Sequence, residues 1–363
     1  MERGRCGVKR TLLSLALCGA LCLTGCSSLL DRPYVMVEPH VEQPVLSEDS
    51  SALQVGTYSE LVNGVLFLVS QGETEGTIQL IDYRGEVEED LSRACLEVAT
   101  EDPLGAYAVD KITHSYARVL TTYEAAISIS YRRTREQIQS ISNISSTSAI
   151  RRAAAGALAE HRPELALRVS YFTGDANTVV NLIRQAYYDD PASAMGLPRY
   201  TVALYPEDGP GVQRVVEMVF SYPADPAELE VRKAQLQERV RDLVDPPGLQ
   251  QYDETARQGL LFQLLSSAVR YDPEGGSTAW DALVGEGADS EGLALAFQLL
   301  AEELEVGSAL VEGALDGQSH FWNQLTADGG AHYVDLTRDT DGTTYSPQDL
   351  LALGYVWDGA PEI

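Results

Sequence analysis

The sequence of 363 residues predicts an α+β protein in two parts. The first is a duplicated βαββ-type α/β domain over residues 51–245, and the second an α+β domain over 250–363. Three observations predict this. A residue pattern recurs within the first part, with repeats at about 77–140 and 165–240. Along both parts the apolar periodicity switches between helical and alternating. The breaker Asp245-Pro246-Pro247-Gly248 separates the parts.

Before the first domain lies a targeting segment. Arg3, Arg5, Lys9 and Arg10 precede an apolar run from Leu12 to Leu23, too short for a comfortable membrane span. Leu23-Thr24-Gly25-Cys26 follows and resembles a bacterial lipobox. That resemblance implies a lipoprotein signal peptide over residues 1–25, cleavage before Cys26 and a lipid on its sulfur. The alternative is a plain secretory signal with a chance cysteine. A lipid on Cys26 implies an extracytoplasmic protein anchored to the cell membrane. Residues 26–50 are rich in Ser, Pro, Glu and Asp and read as a flexible tether. Extended at about 3.1 Å per residue, it holds the folded part several tens of ångströms from the lipid.

The repeat is read from matched positions. Asp82-Tyr83-Arg84-Gly85 leads into a helical run ending at Glu101-Asp102-Pro103. Ser170-Tyr171-Phe172-Thr173-Gly174 leads into another ending at Asp189-Asp190-Pro191. Further on, Ile127 to Tyr131 pairs with Met218 to Tyr222. Each unit reads strand, helix, Asp-Pro turn, strand, hairpin, strand, then a helix. His114 falls in a strand-like stretch and His161 near a helix end, and both read as structural. The abundant tyrosines, Tyr187 and Tyr188 among them, read mostly as buried sheet positions. Cys95 falls on the apolar side of a helical pattern with Leu91, Ala94 and Ala99, where a buried structural thiol is expected. A charged helix over 225–243 leads to the breaker.

In the second part, Glu254 to Val269 carries a helical apolar face of Leu260, Leu261, Leu264, Leu265 and Ala268. Leu293, Ala296, Phe297, Leu300 and Leu304 give a second helix beginning near Ser290. Strands follow at Ser308 to Gly313, Ser319 to Leu325 and His332 to Leu336, with a tight turn at Asp328-Gly329-Gly330. In the middle strand His320, Trp322 and Gln324 face one way, and Phe321, Asn323 and Leu325 the other. Ser346 to Asp358 reads as a short helix and an aromatic clamp.

Three stretches here carry chemistry: Ala288-Asp289-Ser290-Glu291-Gly292, Gln318-Ser319-His320-Phe321-Trp322-Asn323 and Tyr333-Val334-Asp335-Leu336-Thr337. In order, spacing and flanking residues they resemble the nucleophile, base and orienting-acid segments of the bacterial transglutaminase-like (papain-like) family. In that family a Cys opens the helix, and Ser290 stands in its place. Leu336 stands where the family has Pro. The resemblance implies a catalytic triad at Ser290, His320 and Asp335. Read without it, Ser290 is a helix N-cap and His320 with Asp335 a structural pair.

A thiol ionises readily at a helix N-terminus beside an imidazole, whereas a hydroxyl must lose its proton during attack. The resemblance therefore implies a degenerate domain that is catalytically inactive and binds a peptide, protein or cell-wall (peptidoglycan) ligand. The alternative is an active acyl hydrolase or peptidase using Ser290, His320 and Asp335. A structural or assembly module at the envelope is a third reading. No cofactor, metal cluster or phosphate-cradling loop is evident.

The formal net charge is −28. Without residues 1–25, 22 basic residues face 53 acidic ones, giving −31. Such a surface excludes nucleic acid as a partner and favours solubility and cationic partners.

Overall fold

The computed structural model describes residues 52–208, 212–244, 252–327 and 330–359. The leader, Cys26, the tether, the breaker at 245–248 and Asp328-Gly329 lie outside the described residues.

Among the described residues, three four-stranded sheets organise a mixed α+β architecture. The first is built from β1 (Ala52–Val55), α1 (Tyr58–Gln71), β2 (Glu75–Leu80), α2 (Val87–Thr100), α3 (Pro103–Ala108), β3 (Val109–Val119) and β4 (Thr122–Tyr131). The second is built from β5 (Ser142–Ile144), α5 (Thr147–Ala159), β6 (Glu164–Val169), α6 (Ala176–Tyr188), β7 (Arg199–Tyr205) and β8 (Arg214–Ser221), after the short α4 (Arg135–Gln139). The strand orders are β1-β2-β4-β3 and β5-β6-β8-β7. In each sheet the first pair is parallel and the other two antiparallel. Tyr83 and Tyr171 follow β2 and β6, while Pro103 and Pro191 follow α2 and α6. Each sheet also begins with a short edge strand followed by a helix, β1-α1 and β5-α5, ahead of the stretches over which the sequence predicts a repeat. Edge strands of three or four residues carry too little alternation to be read from sequence.

The remaining elements are α7 (Pro226–Leu243), α8 (Glu254–Ala268), β9 (Tyr271–Gly276), α9 (Ala279–Leu283), α10 (Ser290–Glu303), β10 (Ser308–Leu315), β11 (Gln318–Ala327), β12 (Gly330–Val334), α11 (Pro347–Ala352) and β13 (Tyr355–Trp357). The third sheet has the order β12-β11-β10-β13, antiparallel throughout. Asp316 and Gly317, with φ of 53° and 79°, form the two-residue turn joining β10 to β11. Positive φ at both central positions suits the right-handed twist of a hairpin.

One apolar core runs from the second sheet and its helices through α7, α8 and α10 to Leu325 and Val334. The first sheet has its own core, centred on Leu61, Ile78, Leu91 and Ile127. Helix α10 is buried on all sides from Gly292 to Ala301, as befits a central helix apolar all round. Cys95 is buried in the first core, and burial pushes its thiol up to about 11. His161 is buried against Tyr222, 2.9 Å from a Glu230 oxygen through Nδ1. His114 lies 3.1 Å from the Ser92 hydroxyl. Both histidines lie in the first two sheets' units. Among the described residues no helix is long and apolar enough to cross a membrane.

Candidate functional site

The start of α10 is fixed by Asp289, whose Oδ1 accepts from the Gly292 N–H at 3.0 Å. Its other oxygen accepts from the Ser277 hydroxyl at 2.5 Å. The N-cap is therefore Asp289, and Ser290 is the first helical residue. The cap reading of Ser290 is corrected for that reason: its side chain is not used to close the helix. Gly292 lets the 276–278 loop lie on the helix. A Cβ there would stand 2.7 Å from Ala288 Cβ and 2.9 Å from the carbonyl oxygens of Gly276 and Thr278.

Half-buried Ser290 turns its Oγ toward β11, where it accepts from the Phe321 N–H at 3.4 Å. This N–H is available because β12 leaves its neighbour early. The ladder between β11 and β12 stops at Asn323 and Val334. The third strand was expected to reach Leu336. It ends two residues sooner because the N–H groups of Arg338 and Asp339 fold back onto the Asp335 carbonyl. The start of α10 meets the gap this opens. Lower in the helix, Asn323 Nδ2 donates to the Ala294 carbonyl at 3.0 Å and holds the strand against α10.

His320 lies on the opposite face of β11 with Trp322, as the alternation predicts. It is buried, stacked on Trp322 at 6.1 Å between ring centroids, and edge-on to Tyr355 at 5.8 Å. Its Nε2 lies 2.7 Å from Asp335 Oδ2. Asp335 is almost wholly buried and accepts two further hydrogen bonds: 2.5 Å from the Tyr355 hydroxyl and 2.9 Å from the Thr337 N–H. Burial alone would raise this carboxyl, but the hydrogen bonds from His320, Tyr355 and Thr337 outweigh it and hold it below its ordinary value. Tyr355 is raised, chiefly by burial and then by its bond to Asp335.

The three sequence-predicted residues are thus brought to one end of β11. His320 and Asp335 are directly joined. Ser290 contacts the backbone one residue past His320, and its hydroxyl forms no hydrogen bond with the imidazole. Among the described residues, His320 Nδ1 forms no hydrogen bond either.

Three contributors escaped the sequence reading. Tyr355 sits 20 residues past Asp335, in a stretch taken for an edge clamp. Glu291 is held in low-polarity surroundings, so burial pushes its carboxyl up to about 7, helped by Asp289 and Glu312 and opposed by a hydrogen bond from Tyr188. Tyr188 ends helix α6, where the sequence predicts the helical run to Asp189. Its hydroxyl donates to Glu291 at 3.1 Å and its ring packs on Phe321. The adjacent acidic and aromatic residues in the sequence were the available signal.

Chemically, the arrangement offers an imidazole oriented by a carboxylate and a hydroxyl at a helix start. Asp289 takes up the Gly292 and Leu293 N–H groups of the first turn, which leaves those of Ser290 and Glu291 without an intrahelical acceptor and suited to a polarised carbonyl. Among the described residues no group of three or more His, Cys, Asp or Glu side chains could hold a metal ion.

No family model matches the sequence, and no curated protein matches it. A solved structure described as "Crystal structure of a TGase" is similar, with a TM-score of 0.26 and 11% identity. That similarity covers 50% of this chain and 53% of the other, so it spans about half of each.

Proposed function

We propose that this chain is a cell-surface lipoprotein, anchored through Cys26, whose C-terminal domain is a degenerate transglutaminase-like domain. It binds a peptide, a protein segment or cell-wall material beside Ser290 and does not catalyse acyl transfer. The observation that carries this reading is Ser290. An oxygen stands where acyl transfer of this kind uses a sulfur, and that oxygen accepts from Phe321 N–H without a bond to His320. A hydroxyl needs a base at hydrogen-bond distance during attack. The His320–Asp335–Tyr355 chain is built into the packing of Trp322 and Trp357, which gives it a structural use independent of turnover.

The test is incubation of the purified chain with amine donors, glutaminyl peptides and muropeptides, followed by mass spectrometry. Binding without turnover is expected. Turnover that disappears in Ser290→Ala would end the reading.

A second reading rests on the His320–Asp335 bond at 2.7 Å. An acid on Nε2 orients a ring whose Nδ1 could serve Ser290 as base. In that case the chain is an acyl hydrolase or peptidase, and the same incubation yields hydrolysed ester or peptide.

A further inference from the structure

Strand β10 is covered along only part of its outer edge. Strand β13 pairs with Gly313, Ala314 and Leu315 and then stops. The two-residue turn at Asp316-Gly317 makes Leu315 and Gln318 a hydrogen-bonded pair. Alternation from there sends the N–H and C=O groups of Ser308, Leu310 and Glu312 away from β11. No strand pairs with them among the described residues. Exposed edge groups of this kind are normally covered or blocked by bulges, prolines or lysines. Ser308 to Glu312 contains none of these.

This open edge forms one wall of a cleft of about 900 Å³, with Arg184 and Tyr188 of α6 and Gln298 of α10 opposite. Gln298 is 8% exposed. Its Nε2 donates to the Tyr188 carbonyl at 3.2 Å and to Glu302 at 3.1 Å, which fixes the amide's orientation. Its Oε1 is buried and has no donor, and Ser308 Oγ in the same cleft is likewise unpartnered. Buried polar atoms without partners are uncommon in folded proteins, and here two of them line one cleft. Its charged lining is three carboxylates, Asp189, Glu312 and Asp358, against the Arg184 guanidinium. Arg184 is paired with Glu312, and Asp189 with Arg151. Asp358 has no ion pair among the described residues.

We propose that a basic peptide segment in extended conformation docks in this cleft as an added strand on β10. Its main chain pairs with Ser308, Leu310 and Glu312 in the line that β13 leaves vacant. A side-chain N–H of the segment supplies the missing donor to Gln298 Oε1. The net charge of −28 and the carboxylates of the cleft favour lysine or arginine on the incoming strand. This site lies on the β10 side of the sheet and shares Tyr188 with the surroundings of Ser290, but it does not depend on what Ser290 does.

The experiment is fluorescence anisotropy of a labelled, acetylated octapeptide alternating lysine and threonine, titrated with the full chain at low salt. Two further peptides are compared: one with glutamate for lysine, and one N-methylated on alternate residues so that its edge-facing N–H groups are lost. Saturable binding of the lysine peptide is expected. N-methylation should weaken it about tenfold or more, as loss of one or two edge hydrogen bonds implies. Leu310→Pro should weaken it similarly. That N–H does not serve the β11 ladder, so proline is tolerated there, and circular dichroism checks that the variant folds. The N-methylated peptide tests the same point on the unaltered protein. No saturable binding, equal binding of the N-methylated peptide, or equal binding of the glutamate peptide would each overturn the proposal.

Discussion

The hydroxyl of Tyr355 lies 2.5 Å from Asp335 Oδ2, the same oxygen that meets His320 Nε2 at 2.7 Å. One buried carboxylate oxygen therefore ties strand β13 to the histidine of β11. Tyr355→Phe keeps the ring packing against Trp322 and removes only this bond. Urea unfolding at pH 7 should show a loss of about 1–3 kcal/mol, the range for a hydrogen bond to a buried charged group.

The same bond sets a pH dependence. Asp335 is held below its ordinary value, so its stabilising contribution is complete above the unfolded-state value of about 3.9. That contribution is lost as pH falls through the lower folded value. In Tyr355→Phe one of the groups depressing the carboxyl is gone. Acid unfolding followed by circular dichroism should then begin at higher pH than in the parent protein.

Glu291 behaves in the opposite sense. Its folded value is raised to about 7 by burial, above an unfolded value of about 4.3. The protonated form is favoured in the fold, so this contribution is full below the unfolded value and lost as pH rises through 7. Glu291→Gln should remove that decline and make the protein more stable at pH 8, by about 4 kcal/mol at most. A pH series of thermal unfolding curves reads the slope directly.

Gly292→Ala probes the seat of the 276–278 loop. The added methyl meets backbone oxygens of Gly276 and Thr278 at 2.9 Å, which cannot move aside as a flexible side chain would. Overpacking of this kind costs about 1–3 kcal/mol. The thermal midpoint should fall, while Gly259→Ala, with nothing within 4 Å of the added Cβ, should not lower it.

Much of the fold was legible because its signals are local. Asp-Pro turns and alternating runs such as Ile127 to Tyr131 marked the sheet units, and the Leu293-Ala296-Phe297-Leu300 spacing marked α10. The His320 and Asp335 segments could be read as neighbours because an antiparallel pair brings them side by side. What stayed hidden depends on distant contacts or on competition between adjacent residues. Asp289 and Ser290 are both good caps, and only the Ser277 bond and the helix geometry decide between them. Strand β12 stops at Val334 because Thr337, Arg338 and Asp339 turn back on Asp335. Tyr355 reaches Asp335 only after α11 carries the chain back across the sheet, a path with no periodicity to betray it.

Ser290→Cys asks whether the α10 start suits a thiolate. Cys95 is the only other cysteine beyond residue 26, and burial raises its thiol to about 11, so it should stay unlabelled in the native state. Iodoacetamide near neutral pH should label position 290 and leave Cys95 unlabelled, the helix N-terminus favouring the thiolate at 290. Peptide mapping distinguishes the two sites.

The most direct test of the central claim is a fluorophosphonate probe at high concentration on the unaltered protein. Mass spectrometry should find Ser290 unmodified, because its hydroxyl is not bonded to the His320 ring. Labelling of Ser290 that vanishes in His320→Ala would contradict the claim and establish a working serine nucleophile.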